Sequence, residues 1–281
     1  MSKAISIAVI GSINLDIVAS VTTFPQPGET ITNATVNRFP GGKGANQALA
    51  AHRLGATVFM VGRIGNDPAA DEALHNLRAE GVDLSYCQAL EGVATGLAMI
   101  VVAEAGENQI VVAPGANAMF SAEQLLIPET DAIIAQLEVP IETILKAASL
   151  NDRFFCLNAA PARPVPQELL QHVDLLVVNQ IEAETLADNL KIYNGLLAIT
   201  YGGEGAALFR GGQQVARARP PRVEVIDTTG AGDAFTAALT VALVRGMQPE
   251  TALQQACLVG ALTTTRLGAQ SSPHATDLHP G

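Results

Sequence analysis

Two rhythms of apolar and polar positions share this chain. Short β-branched and aliphatic runs at 5–10, 57–61, 131–137, 154–158, 175–179 and 196–200 read as strands buried on both faces. Between them, 47–54, 71–80, 141–149, 166–172, 234–245 and 251–264 carry helical spacing, and Gly81 stops the second of these. Buried strands alternating with helices predict a largely parallel sheet covered on both faces. Residues 17–21, 30–39, 95–103 and 109–113 break that rhythm by alternating strictly, with Ile31 and Val36 as inward positions. The last two form a hairpin around Ala105-Gly106-Glu107-Asn108, and all four segments are expected to build an accessory sheet with one exposed face. A late hairpin joins 206–210 to 213–218. The β-branched stretch Val223, Val225, Ile226 predicts a strand that enters the turn Asp227-Thr228-Thr229-Gly230-Ala231-Gly232-Asp233-Ala234. No repeat, low-complexity segment or linker intervenes, so 1–281 are expected to fold as one unit. Residues 272–281 have little pattern and are expected to be poorly ordered.

Composition narrows the function classes. Hydrophobic residues make up 48% and charged residues only 15%, which describes a compact globular protein. The net charge of −11 argues against nucleic acid as a partner. Three separated cysteines, Cys87, Cys156 and Cys257, give neither a disulfide framework nor zinc spacing. The N-terminus leads directly into a strand without the order of a signal peptide, and no apolar run is long enough to span a bilayer, so a cytoplasmic protein is expected.

The Gly-rich turn at 227–234 opens a helix, so free N–H groups and the positive end of a helix dipole face one point. An anion, most commonly phosphate, is the natural ligand there. Asp233 would repel a resting phosphate but suits a base that deprotonates an attacking hydroxyl. The same run also reads as a plain turn with an acidic residue in the helix's first turn. Several other polar residues follow predicted strands directly: Asn14, Asp16, Glu138, Asn158, Asn179 with Glu182, Thr200 before Gly202-Gly203, and Asp227. In a parallel sheet these line one rim. Gly41-Gly42-Lys43-Gly44-Ala45-Asn46 holds a lysine and an amide on a tight scaffold suited to sugar hydroxyls, and its spacing is wrong for a P-loop.

Four stretches occur in the order found in the ribokinase-like (PfkB-type) carbohydrate kinases, and the chain resembles that family over nearly its whole length. They are Gly11-Ser12-Ile13-Asn14-Leu15-Asp16; Gly41 to Ala48; Asn158-Ala159-Ala160-Pro161-Ala162; and Asp227 to Asp233 with Gly268-Ala269-Gln270-Ser271-Ser272 downstream. The resemblance implies an α/β, three-layer αβα fold with a mostly parallel central sheet and a small β-sheet lid formed by about 13–39 and 94–113. It implies ATP-dependent phosphorylation of a sugar's primary hydroxyl, D-ribose giving D-ribose 5-phosphate. By similarity Asp233 is the base, and Gly230, Ala231 and Gly232 form the anion hole. Asn14, Asp16, Gly42, Lys43, Asn46 and Glu138 are sugar-binding positions. Asn179 and Glu182 are associated with Mg²⁺ and phosphate, and Thr200 and Gly202 with ATP phosphates. A monovalent cation, K⁺, falls to Asp227, the carbonyls of Thr229, Thr263, Arg266 and Gly268, and Ser272. The lid is expected to pair into a homodimer.

Two departures from the family pattern stand out. The stretch between Asn179 and Thr200 is short, leaving room for one brief helix at 183–190, so the sheet is expected to lose cover on one face. The tail also lacks the C-terminal helix of longer members. Other substrates of the same fold, a nucleoside, a ketose or a 2-keto-3-deoxy sugar acid, remain alternatives, as does an inactive sugar or nucleotide sensor.

Overall fold

The computed structural model describes residues 4–105, 107–150 and 152–278. Strand β1 (Ser6–Ile10) is followed by β2 (Asn14–Val21) and β3 (Thr35–Gly41), then α1 (Lys43–Arg53), β4 (Thr57–Gly65), α2 (Pro68–Ala73), α3 (His75–Glu80) and β5 (Asp83–Leu90). Next come β6 (Gly96–Ala103), β7 (Asn108–Ala113), β8 (Ala132–Gln136), α4 (Ile141–Ser149), β9 (Phe154–Asn158), α5 (Gln167–Leu170) and β10 (Leu175–Asn179). The chain continues through α6 (Gln180–Thr185), α7 (Ala187–Leu190), β11 (Leu196–Thr200), β12 (Ala206–Arg210), β13 (Gln213–Ala218), α8 (Ala231–Val244) and α9 (Pro249–Thr263).

Nine strands form one sheet in the order β13-β12-β11-β10-β9-β8-β1-β4-β5, parallel except for β12 and β13. The side-chain period of two splits its apolar residues between the faces. Ile7 and Val9 of β1 pack in a cluster with Leu49 of α1 and Leu239 and Val241 of α8. Ala8 and Ile10 face the other way, toward Ile144 of α4 and Leu169 of α5. Helices therefore cover both faces, as the alternating rhythm requires. The second sheet runs β3-β2-β6-β7, with β2 and β6 parallel and both outer pairs antiparallel.

Several elements depart from the sequence reading. The helix expected over 71–80 is two short helices that break at Leu74, the first started by Asp67, whose side chain accepts from Ala70 N at 3.0 Å. Strand β5 went unread because its half-exposed residues form neither an apolar run nor a clean alternation. Val36 is not inward: it is 61% exposed, because β3 lies on the open second sheet. Residues 223–226 form no strand. Pro220 and Pro221 supply no N–H for a ladder, and Ile226 and Asp227 donate instead to Thr264 O. Of the tail, Ser272 is buried and Ala275–Leu278 forms a 3₁₀ turn, whereas 279–281 lie outside the described residues, as does Gly106 of the expected hairpin turn. The short Asn179–Thr200 stretch holds two brief helices, α6 and α7. Leu197, Ile199 and Phe209 stay half-buried beside a cavity of about 300 Å³, so cover is thin there as expected.

One close approach fixes the start of α1. A Cβ on Gly44 would lie 2.6 Å from Gly11 C and 2.7 Å from Ser12 N. Only glycine lets this helix press against the end of β1. Gly44→Ala is therefore expected to lose roughly 1–3 kcal/mol of stability in urea unfolding. Gly203→Ala, where an added Cβ meets nothing within 4 Å, is expected to stay within about 0.5 kcal/mol of the parent.

Candidate active site

The chain leaves β1 toward β4 and β5 on one side and returns through β8 to β13 on the other. A crevice opens at such a switch point beyond the carboxyl ends of the strands. Ser12 follows β1 and Glu138 follows β8, and Ser12 Oγ donates to Glu138 Oε2 across the crevice at 2.5 Å. Lys43 N, at the start of α1, donates to the same oxygen at 3.2 Å. Asn14 and Asp16 open β2 and are both buried. Asn14 Oδ1 accepts from Asn117 Nδ2 at 2.8 Å, and Asn117 Oδ1 accepts from Ile13 N at 2.9 Å. Nothing in the sequence singled out Asn117, which reaches the site from 103 residues away in sequence.

Helix α8 begins at the Gly-rich turn, and Gly230 permits its geometry. Its φ of +79° belongs to the left-handed region, and an added Cβ would stand 2.1 Å from Ala269 O. Ala231 N donates to Thr228 O at 3.3 Å. Asp233 is buried, and its carboxylate accepts one amide N–H on each oxygen, from Asn46 Nδ2 and Gln47 Nε2 at 2.9 Å each. The first turns of α1 and α8 therefore meet at this carboxylate.

Four carboxylates surround one ammonium. Lys43 is held above its usual range chiefly by Asp233, with Glu138, Glu182 and Asp16 adding to the effect against the cost of burial. Asp16 is pushed up to about 7 by burial first, then by Glu138 and Asp233, with Lys43 opposing. Glu182 is raised by burial, and Asp233 adds to it, while Asn179 N–H and Lys43 work the other way. The pocket thus concentrates negative charge, which hydroxyl-rich or cationic ligands relieve.

Asn179 ends β10 and caps α6. Its Oδ1 accepts from Glu182 N at 2.8 Å, and Glu182 Oε2 accepts from Asn179 N at 2.7 Å. A cavity of about 580 Å³ opens between α8, α9 and the turn after β11, lined by Thr200, Gly202, Gly232, Phe235, Cys257 and Pro221 among others. It places Thr200 and Gly202 beside Gly232 at the start of α8. Its mixture of apolar walls and a polar end suits a base and phosphates. Pro221, Phe235 and Cys257 are additions that no motif marked.

Asp227 ties two turns together. Its Oδ1 accepts from Thr229 N and Oγ1 at 2.9 and 2.6 Å, and its Oδ2 accepts from Gly268 N at 2.8 Å. Thr263 O accepts from Ser271 Oγ at 2.9 Å. Arg266 is exposed in the same turn. Ser272 is buried, but its carbonyl and hydroxyl accept from Arg53 Nη1 at 2.8 and 3.3 Å. Among the described residues no group of three or more His, Cys, Asp or Glu could hold a metal, and no helix is long and apolar enough to cross a membrane.

A carboxylate at the start of a helix, beside an anion-binding turn and a polar crevice, is equipped to move a phosphoryl group to a hydroxyl. Comparison with known proteins agrees. The family model for pfkB family carbohydrate kinases matches residues 4–276. Ribokinase of Bacillus subtilis is 41% identical over 281 residues, covering 94% of each chain. The crystal structure of a ribokinase from Thermotoga maritima superposes with a TM-score of 0.87 at 32% identity, over 98% of each chain. A structure of Arabidopsis thaliana ribokinase complexed with ribose and ATP gives the same TM-score at 28% identity, again over 98% of each chain. The polar crevice, the Gly-rich turn and these likenesses lead to one conclusion: the chain belongs to the pfkB family of carbohydrate kinases.

Proposed function

We propose that the protein transfers the γ-phosphoryl group of ATP to the primary hydroxyl of D-ribose, giving D-ribose 5-phosphate and ADP. The observation that carries this reading is Asp233, buried and oriented by two amides at the N-terminus of α8. In it, Asp233 removes the proton of the attacking hydroxyl, and the N–H groups of Gly230, Ala231 and Gly232 meet charge developing on the transferred phosphoryl. Asn14, Asp16, Gly42, Lys43, Asn46 and Glu138 hold the sugar's hydroxyls. Thr200 and Gly202 contact ATP phosphates in the cavity beside Gly232.

Two cations belong to this reading. Glu182 and Asn179 would hold Mg²⁺ through water, which fits their side-chain oxygen donors. When bound, Mg²⁺ neutralises charge on the phosphates. Asp227 with the carbonyls of Thr229, Thr263, Arg266 and Gly268 would hold K⁺. The donor set of one carboxylate and several carbonyls on two joined turns suits a hard monovalent cation. Ser272 belongs to the same set, although Arg53 already donates to its oxygens. A cation there orders the loop next to the anion hole.

The whole of 1–281 acts as one unit in this account, with the second sheet as a lid that excludes water from the transfer. Val36, Met99 and Val111 share one face of that sheet by register and are exposed. Such a surface supports pairing of two lids in a homodimer. ATP as the phosphoryl donor fits a cytoplasmic protein.

Release of ADP from Mg²⁺–ATP is expected to be fast with D-ribose and faster with K⁺. It is expected to be slow with 2-deoxyribose, fructose, 2-keto-3-deoxygluconate and inosine. Preference for another compound in that panel would move the substrate and keep the mechanism; binding of sugar and ATP without transfer would make the protein a sensor. Asp233→Asn should lower kcat by about 10²–10⁴-fold and leave both KM values within a few-fold. Near-normal turnover would remove Asp233 from the role of base.

Asp16 makes a prediction about pH. Its carboxyl, at about 7 in the folded protein, binds a proton that the unfolded chain releases near 3.8. Stability therefore falls as pH rises from about 4 to about 7 and levels off above that. Asp16→Asn removes this loss. It is expected to raise the unliganded melting temperature at pH 8 by a few degrees, to match the parent below pH 4, and to weaken sugar binding. An equal shift at both pH values would contradict the assignment.

A further inference from the structure

Gln47 is fully buried, yet its neighbours on α1 at the same depth are Ala45, Ala48, Leu49, Ala50 and Ala51. An amide at such a position costs desolvation that an apolar side chain would avoid. Its orientation is fixed at both ends. Gln47 Oε1 accepts from Gln136 Nε2 at 2.6 Å. Gln47 Nε2 donates to Asp233 Oδ1 at 2.9 Å and to Asn158 Oδ1 at 3.0 Å. Asn158 is itself fixed, because its Nδ2 donates to Val177 O at 3.2 Å. Gln136 and Asn158 stand opposite each other in register at the ends of β8 and β9. Flipping the Gln47 amide would set its oxygen against two acceptors and its NH₂ against another NH₂. Gln136 Oε1 has no hydrogen-bond partner among the described residues.

We propose that Gln47 is a positioning residue for Asp233, and that the Gln136–Asn158 pair at the strand ends orients it. This inference rests on the reading of Asp233 as the base. The parallel sheet sets the Gln47 amide, and the amide, together with Asn46, sets the plane of the carboxylate. Each oxygen of Asp233 keeps lone pairs free for the hydroxyl that loses its proton. Misplacement of a reacting group by an ångström lowers turnover without weakening ground-state binding.

The test is steady-state kinetics with D-ribose and Mg²⁺–ATP, with melting temperatures, for Gln47→Met, Gln136→Met and the double variant. Gln47→Met is expected to lose about 10–100-fold in kcat with both KM values nearly unchanged, and to melt a few degrees below the parent, because Gln136 Nε2, Asn158 Oδ1 and Asp233 Oδ1 each lose a buried partner. Gln136→Met is expected to lose less kcat, again at unchanged KM. The double variant should be no slower than Gln47→Met, because the two act through one bond. A kcat for Gln47→Met within about twofold of the parent overturns the proposal. So does a rise in either KM that accounts for the loss in kcat/KM, or losses that multiply in the double variant. If Gln47→Met does not fold, Gln136→Met decides: reduced kcat at constant KM supports positioning, and unchanged kcat overturns it. An active parent with unaffected variants defeats this inference alone, whereas a parent inactive on every sugar defeats the reading of Asp233 with it.

Discussion

The structure depends on bringing the first turns of two helices against one carboxylate. Helix α1 follows the second sheet and α8 follows the Gly-rich turn, and nearly two hundred residues separate Gln47 from Asp233. Their meeting requires α1 to lie against the backbone after β1, where Gly44 leaves no space for a side chain. It also requires Gly230 to turn sharply under Ala269. Two glycines thus decide where Asn46 and Gln47 stand relative to Asp233. The N-terminal end of α8 and the polar crevice at the switch point then share one border, so two groups can approach the same carboxylate.

That convergence gathers charge. Asp16, Glu138, Glu182 and Asp233 all act on Lys43, and burial raises Asp16 and Glu182 in the absence of ligands. Ionising Asp16 and Glu182 in the fold therefore costs stability that the attraction of Lys43 partly offsets. Hydrogen-bond donors or positive charge at the same oxygens would favour the ionised forms.

Much of this was legible because it is local. Gly-rich turn-to-helix chemistry marked Asp227 to Ala234, and strand-end polar residues marked Asn14, Glu138, Asn158 and Asn179 before any tertiary information. The Asn179–Glu182 capping box is likewise a short-range signal. What escaped is tertiary or depends on neighbours. Val223, Val225 and Ile226 have β propensity, but Pro220 and Pro221 precede them and no strand forms. Val36 alternates like an inward residue, yet it lies on a sheet that stays open to solvent. Strand β5 sits at the sheet edge with a half-exposed pattern that resembles a loop. Gln136 and Asn117 became visible as site residues only through partners more than eighty positions away.

Phosphorus-31 NMR of the product formed from ATP and D-ribose tests the central claim most directly. If Asp233 deprotonates the primary hydroxyl, the new phosphorus signal couples to the two C5 methylene protons, and one ADP accompanies each phosphoester. A signal coupled to the anomeric proton, or ADP matched by free inorganic phosphate, would contradict the account.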